Sequence, residues 1–158
     1  MNHGLRIRPA SLADHSALEA LQLRASLSNP GDRQAMLDHP DAACLPIEQI
    51  ESGTVFVAVS EESILGFAAM YRRDDRDMQL DGLFVDPSHQ KLGIGALLVE
   101  HCAAAAQTAS ALAIHVIGNP HAELFYLKCG FVRSGETETL FGPAFLFTRP
   151  FRHPAGEN

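Results

Sequence analysis

The chain has 158 residues, 46% of them apolar and 20% charged, enough to bury one sizeable core and unlike a disordered chain. No apolar stretch approaches the roughly 18 residues that would read as a membrane span. The net charge of −7, with no block of Lys or Arg, counts against nucleic acid as the main partner, because phosphate neutralisation supplies most of that affinity.

From the N-terminus, LRIRPA reads as a short strand stopped by Pro9. Ser11 and Asp14 are spaced as a capping box ahead of a helix whose Ala17, Leu18, Leu21 and Ala25 share one face. Between Asn29 and Gly53 the prolines permit only short helical pieces, around Arg33–His39 and Pro46–Glu51. TVFVAVSEESILGFAAMYRR predicts a hairpin turning at Glu61-Glu62-Ser63, and the tight RRDDRD turn leads into the next strand, MQLDGLFVD. A helix over roughly Gly93 to Ala109 follows, with Ile94, Leu97, Leu98, His101 and Ala105 on one face. ALAIHVI is again a strand. A helix crossing between it and MQLDGLFVD favours a parallel pairing of those two strands. NPHAELFYLKCGF is a compact helix with Asn119 as N-cap, Pro120 in its first turn and Gly130 just past its end. Two last strands fall around Phe131–Ser134 and Ala144–Thr148, and His153–Asn158 reads as a frayed tail. The expectation is one α+β domain over 1–158, ordered from about 5 to 150.

Cys44, Cys102 and Cys129 are odd in number, far apart and without a C-x-x-C, which argues against a disulfide framework or a structural zinc site. Cys102 and Cys129 read as buried small hydrophobes. The eight histidines show no ligand spacing such as H-x-x-x-H, so no metal is expected. The first eleven residues hold two arginines but no apolar core after them, which reads against a secretory signal and towards a cytoplasmic protein.

The chemistry-bearing stretch is LFVDPSHQKLGIGALLVEH, Leu83 to His101, where a helix opens on two glycines. Glycine costs roughly 1 kcal/mol against alanine inside a helix, so Gly93 and Gly95 need a reason. Either they serve the turn, or they let an anion approach the unpaired N–H groups and the positive dipole end of the helix. The stretch has no G-x-x-x-x-G-K-[ST], and Leu98 stands where a dinucleotide fingerprint needs its third glycine. What remains is Gln90-x-x-Gly93-x-Gly95, which resembles the R/Q-x-x-G-x-G/A pyrophosphate loop of the GNAT superfamily of N-acetyltransferases. NPHAELFYLKCGF likewise resembles that family's N-x-x-A-x-x-x-Y-x-x-x-GF, LDGLFVDP its fourth strand, and IRPASLADHSALEAL a common start. The likeness runs in element order from about Leu5 to Pro150.

The resemblance implies a mixed, mostly antiparallel sheet flanked by helices, its two central parallel strands splayed around a coenzyme A cleft. By similarity, the backbone of Leu83, Phe84 and Val85 would pair with the pantetheine amides. Gln90, Lys91, Leu92, Gly93, Ile94 and Gly95 would hold the pyrophosphate, Asn119 would touch the pantetheine arm, and Tyr126 would face the sulfur. Each residue also has a plainer role: Asn119 suffices as a helix cap, and Tyr126 lies on the apolar face of Ala122, Phe125 and Cys129. The implied activity is transfer of an acetyl group from acetyl-CoA to a small-molecule or peptide amine by direct attack on the thioester. The alternative is a non-catalytic acyl-CoA-binding or sensing domain.

Free tyrosine titrates near about 10 and a thiol near about 8.5, so full proton transfer from Tyr126 to the leaving thiolate runs uphill by roughly 2 kcal/mol. Tyr126 is therefore expected to act as a hydrogen-bond donor, or to have a lowered pKa. Asp81 is the candidate general base, with a surface or turn role as its alternative, and Glu138 and His121 are weaker candidates. Acceptor contacts would come from Leu27–Gly53 and Gly135–Pro143, whose sequence does not choose an acceptor. Neither a membrane nor a nucleic-acid partner is expected, and a homodimer is compatible with the reading.

Overall fold

The computed structural model describes residues 4–151. Seven strands form one sheet: β1 (Arg6–Pro9), β2 (Val55–Ser60), β3 (Ser63–Arg72), β4 (Met78–Val85), β5 (Ala113–Gly118), β6 (Val132–Thr139) and β7 (Gly142–Pro150). Their spatial order is β1-β2-β3-β4-β5-β7-β6. Every neighbouring pair is antiparallel except β4 and β5, the pair joined through α4 (Ile94–Thr108). The remaining helices are α1 (His15–Ser28), α2 (Arg33–Asp38), α3 (Ile47–Glu51) and α5 (Glu123–Lys128). The expected mixed α+β architecture is therefore present. The tail expected to fray, His153–Asn158, lies outside the described residues.

The sheet is covered on both faces, which explains why β2 is apolar at consecutive positions rather than alternating. Val55, Val57 and Val59 join Leu18 and Leu21 of α1 and Ile50 of α3 on one side. Phe56 and Ala58 join Leu98, Cys102 and Ala106 of α4 on the other, together with Leu80, Ile114, Phe131 and Phe147. Leu98 is fully buried, and shortening such a side chain to alanine typically costs about 2–5 kcal/mol. Cys102 and Cys129 are buried and free, and Cys44 is exposed and free.

Three details depart from the sequence reading. The hairpin turn is two residues long: Ser63 already pairs with Ser60, and Glu61 and Glu62 carry positive φ values of 49° and 71°, the mirror-image turn that matches strand twist. The buried face of α4 is Ile94, Leu98, Val99, Cys102, Ala103 and Ala106, whereas Leu97 is 43% exposed and His101 only half-buried. That helix is apolar nearly all round, so periodicity alone could not choose its face; docking on the sheet does. In α1, Ala17 is exposed and Ser26 takes a buried position.

Polar ties hold α1 against the sheet. Arg8 forks onto Asp14 at 2.8 and 3.1 Å, and Asp14 also accepts from the Ser11 N–H at 2.8 Å, so the predicted capping box is formed. Arg24 of α1 donates to Asp86 at 2.9 Å, directly after β4. The other oxygen of Asp86 accepts from the Ser88 hydroxyl at 2.7 Å and N–H at 3.0 Å. These bonds, those from Ser88 foremost, hold the Asp86 carboxyl at about 2 instead of 3.8.

A depressed folded-state pKa contributes stability that is fully present above the unfolded value and lost as pH falls through the folded one. Between about pH 4 and about pH 2 the protein should therefore lose stability partly through Asp86. Urea midpoints at the two ends of that window should fall less for Asp86→Asn than for the native chain. An equal fall in both would show that this carboxylate does not anchor the loop.

Candidate functional site

Parallel pairing between β4 and β5 covers three positions, Met78–Leu80 against Ile114–Val116. Beyond Leu80, β4 continues to Val85 paired only with β3, while β5 continues to Gly118 paired only with β7. A cavity of about 420 Å³ lies in the gap, lined by Leu80 to Val85, Gln90, Val116 to Asn119, and Tyr126. Strand residues 81–85 therefore carry backbone polar groups on the β5 side that no neighbouring strand satisfies, and buried backbone groups need a partner.

At Asp81 the register of β4 slips by one: Ala69 faces Gly82 and Met70 faces Leu80, leaving Asp81 as the extra residue of a bulge. The bulge lies where β4 stops pairing with β5. Asp81 lines the cavity, and Gln49 of α3 donates to it at 2.9 Å. Partial loss of water raises its pKa above the ordinary carboxylate value, against the lowering effect of the Gln49 bond.

The loop after β4 delivers the glycines. Lys91 and Gly93 both sit in the left-handed region, at φ 63° and 84°. A Cβ on Gly93 would touch nothing within 4 Å, so this glycine answers to backbone conformation. Gly95 is different: its Cβ would come within 3.2 Å of the Phe125 ring, so it lets α5 approach the first turn of α4. Each glycine thus has a structural reason of its own within the protein. Together they place a left-handed turn directly before α4, whose first N–H groups have no intrahelical acceptor. Leu92 is exposed and Ile94 is in the core, so Ile94 offers the cleft only its backbone.

Asn119 and Tyr126 close the other wall. The Asn119 side chain accepts from the His121 N–H at 2.8 Å, as a cap should, and donates to Asp32 at 2.9 Å, which ties it across to the α1–α2 loop. The Tyr126 ring packs against Phe125, Phe131 and Phe147, with centroids 5.1–5.6 Å away. It is 8% exposed and lines the cavity, and its hydroxyl has no partner among the described residues. Burial pushes its pKa well above the ordinary 10, with Cys129 adding to the effect. Core tyrosine and cleft tyrosine are the same residue here: the ring serves the packing and the residue also lines the gap.

The fold does not bring every candidate together. His121 lines the cavity at its rim, whereas Glu138 lies exposed on β6, outside it. Sequence spacing also missed a group: Asp75, Asp77 and His115 place ligand-type atoms within 4.8 Å of one another. These atoms are already engaged, Asp77 with His115 at 2.8 Å and with two backbone N–H groups, Asp75 with Arg73 at 2.8 Å. A second cavity of about 260 Å³ adjoins the first, sharing Ser26, Asp32, Phe84, Ile117 and Asn119 with it. Its remaining walls come from Gln22 of α1, from Met36 and Ala42 in the stretch with poor sequence signal, and from the β6–β7 hairpin.

Among known proteins, the family model of the acetyltransferase (GNAT) domain matches residues 51–133. Two mycobacterial proteins named as uncharacterized N-acetyltransferases, from Mycobacterium bovis and Mycobacterium tuberculosis, are 32% identical over 84 residues, 51% of this chain and 54% of theirs. The chain thus spans about half the length of these relatives. A GCN5-related N-acetyltransferase from Rhodopseudomonas palustris shares the fold with a TM-score of 0.76 at 18% identity, over 92% of this chain and 95% of that one. PaiA N-acetyltransferase from Thermoplasma acidophilum, solved in complex with coenzyme A, has the same TM-score at 15% identity, over 93% and 99%.

Because Gly93 is needed for its positive φ, Gly93→Ala should destabilise the protein by about 1–2 kcal/mol in urea unfolding. Gly93→Asn should cost less, since Asn tolerates that region. Equal stability of both variants with the native protein would remove the conformational role.

Proposed function

Since the chain belongs to the acetyltransferase (GNAT) domain family, we propose that it is an N-acetyltransferase that uses acetyl-CoA and moves the acetyl group to an amine by direct attack on the thioester. The observation that carries this reading is the gap between β4 and β5, bounded by a donor-rich loop at one end and an unpartnered buried phenol on its wall. The fold neighbour that holds coenzyme A supports the same reading.

The residues fit such a cosubstrate. The unpaired edge of β4 at Leu83, Phe84 and Val85 offers amide-pairing groups to a pantetheine arm, and Asn119 faces them from across the cleft. The N–H groups from Lys91 to Gly95 and the exposed Lys91 side chain suit a pyrophosphate, with Gln90 lining the approach. Acetyl-CoA would supply an acyl group activated as a thioester.

The chain's own groups then have two tasks. The attacking nitrogen must give up a proton as its bond to the acyl carbon forms, and the sulfur leaves with the electron pair of the broken C–S bond. Asp81, its pKa raised, is the group we assign to take up the proton, directly or through water. Tyr126 is assigned to the sulfur. Burial raises its pKa, which makes full proton transfer to a thiolate still more uphill, so the phenol acts by donating a hydrogen bond.

A thiol-release assay tests the assignment. Tyr126→Phe should lower turnover about 10- to 100-fold, the worth of one hydrogen bond to a developing charge, with acetyl-CoA affinity by titration little changed. Asp81→Asn should lower turnover about 100-fold or more at neutral pH. Unchanged turnover in either variant would strike that residue from the mechanism, and acetyl-CoA binding without release under any amine would leave a non-catalytic acyl-CoA-binding domain.

A further inference from the structure

We infer that the acceptor is a small primary amine with an apolar or aromatic body and no carboxylate or phosphate, its ammonium received by Asp32 at the junction of the two cavities. This rests on the reading of the larger cavity as the acetyl-CoA cleft, and it identifies what enters from the other side.

Asp32 lies in the loop between α1 and α2 and lines both cavities. Its two oxygens are held by side-chain amides, Asn119 at 2.9 Å and Asn29 at 3.0 Å. Amides orient a carboxylate but do not neutralise it, and no cation pairs with Asp32 among the described residues. Ser26 adds an independent sign: it is 4% exposed, lines both cavities, and its hydroxyl has no partner among the described residues. A buried hydroxyl left unpaired costs free energy that a ligand's N–H group can restore. A carboxylate and a free hydroxyl thus converge where the two spaces meet, matching a protonated amine.

The rest of the smaller cavity defines the body of that amine. Met36, Phe84, Leu140 and Phe141 contribute apolar surface, and the lining contains no Lys or Arg. A carboxylate on the acceptor, as in an amino acid, would lie beside Asp32 with no compensating cation, and the like charges would repel. A second ammonium, as in a polyamine, would be pushed among the apolar walls without a partner. At about 260 Å³ the space lies just below the usual range of roughly 300–1,000 Å³ for ligand sites, and suits one ring or a short alkyl chain.

The test is a thiol-release assay with acetyl-CoA and four amines: phenethylamine, phenylalanine, spermidine and glucosamine 6-phosphate. Phenethylamine should show a kcat/KM at least about tenfold above each of the others. Asp32→Asn should raise the KM for phenethylamine about tenfold or more and leave the KM for acetyl-CoA unchanged. Phenethylamine should also bind, by titration calorimetry, to the protein saturated with coenzyme A. Faster release with phenylalanine, spermidine or the sugar phosphate would overturn the acceptor class and leave the acetyltransferase reading standing. An equal rise in both KM values would mean that Asp32 acts only by holding Asn119, and would overturn its role. Absence of acetyl-CoA binding would remove the acetyltransferase reading, and this inference with it.

Discussion

The structure turns on one interruption, the end of hydrogen bonding between β4 and β5 after Leu80 and Val116. A continuous sheet would satisfy those backbone groups internally and leave no space. The parting creates both the space and the demand for a ligand, because polar strand edges at Leu83–Val85 lack a strand partner on that side. What makes the parting tolerable lies elsewhere. The Asp81 bulge ends the regular ladder, β3 and β7 still hold the outer sides, and Leu98 of α4, Tyr126 of α5 and Phe131 just beyond it cover one face.

Around that gap, side chains carry double duty. Gly95 brings Phe125 of α5 against α4, which in turn fixes the neighbouring Tyr126. Asn119 caps the turn before α5 and, through Asp32, fastens the α1–α2 loop over the cleft. Arg24 and Ser88 grip Asp86 and set the start of the loop that ends in the exposed N–H groups. Packing and chemistry are thus coupled through short paths, and a change in one wall of the cleft reaches the other through one or two contacts.

Much of this was legible in the residues. The strand–loop–helix at Leu83–His101 forms where its turn residues predict it; the hairpin forms with a turn one residue shorter, and Asn119 caps a 3-10 turn that leads into α5, because each rests on local chemistry. The two final strands, β6 and β7, run longer than their apolar residues suggest, since pairing of exposed positions such as Glu138 with Pro143 depends on the partner strand. Periodicity does not pick the buried side of α4, because an alanine-rich helix is apolar on nearly every face. The sequence leaves turn service and anion approach both open for Gly93 and Gly95; the geometry adds a positive φ for the first and a ring contact for the second. Asp32 and Ser26 carried no signal in the sequence. Their meaning comes from Asn119, 87 residues away from Asp32, and from a cavity that exists only once the fold closes.

The central claim is that coenzyme A lies along the unpaired edge of β4 with its pyrophosphate on the loop before α4. Amide hydrogen exchange with and without coenzyme A tests it directly, because the same N–H groups are free in one case and bonded in the other. The account predicts slowed exchange at Leu83–Val85 and from Gln90 to Gly95, with the β6–β7 hairpin unaffected by coenzyme A alone. Binding of coenzyme A without slowed exchange at either segment would contradict it.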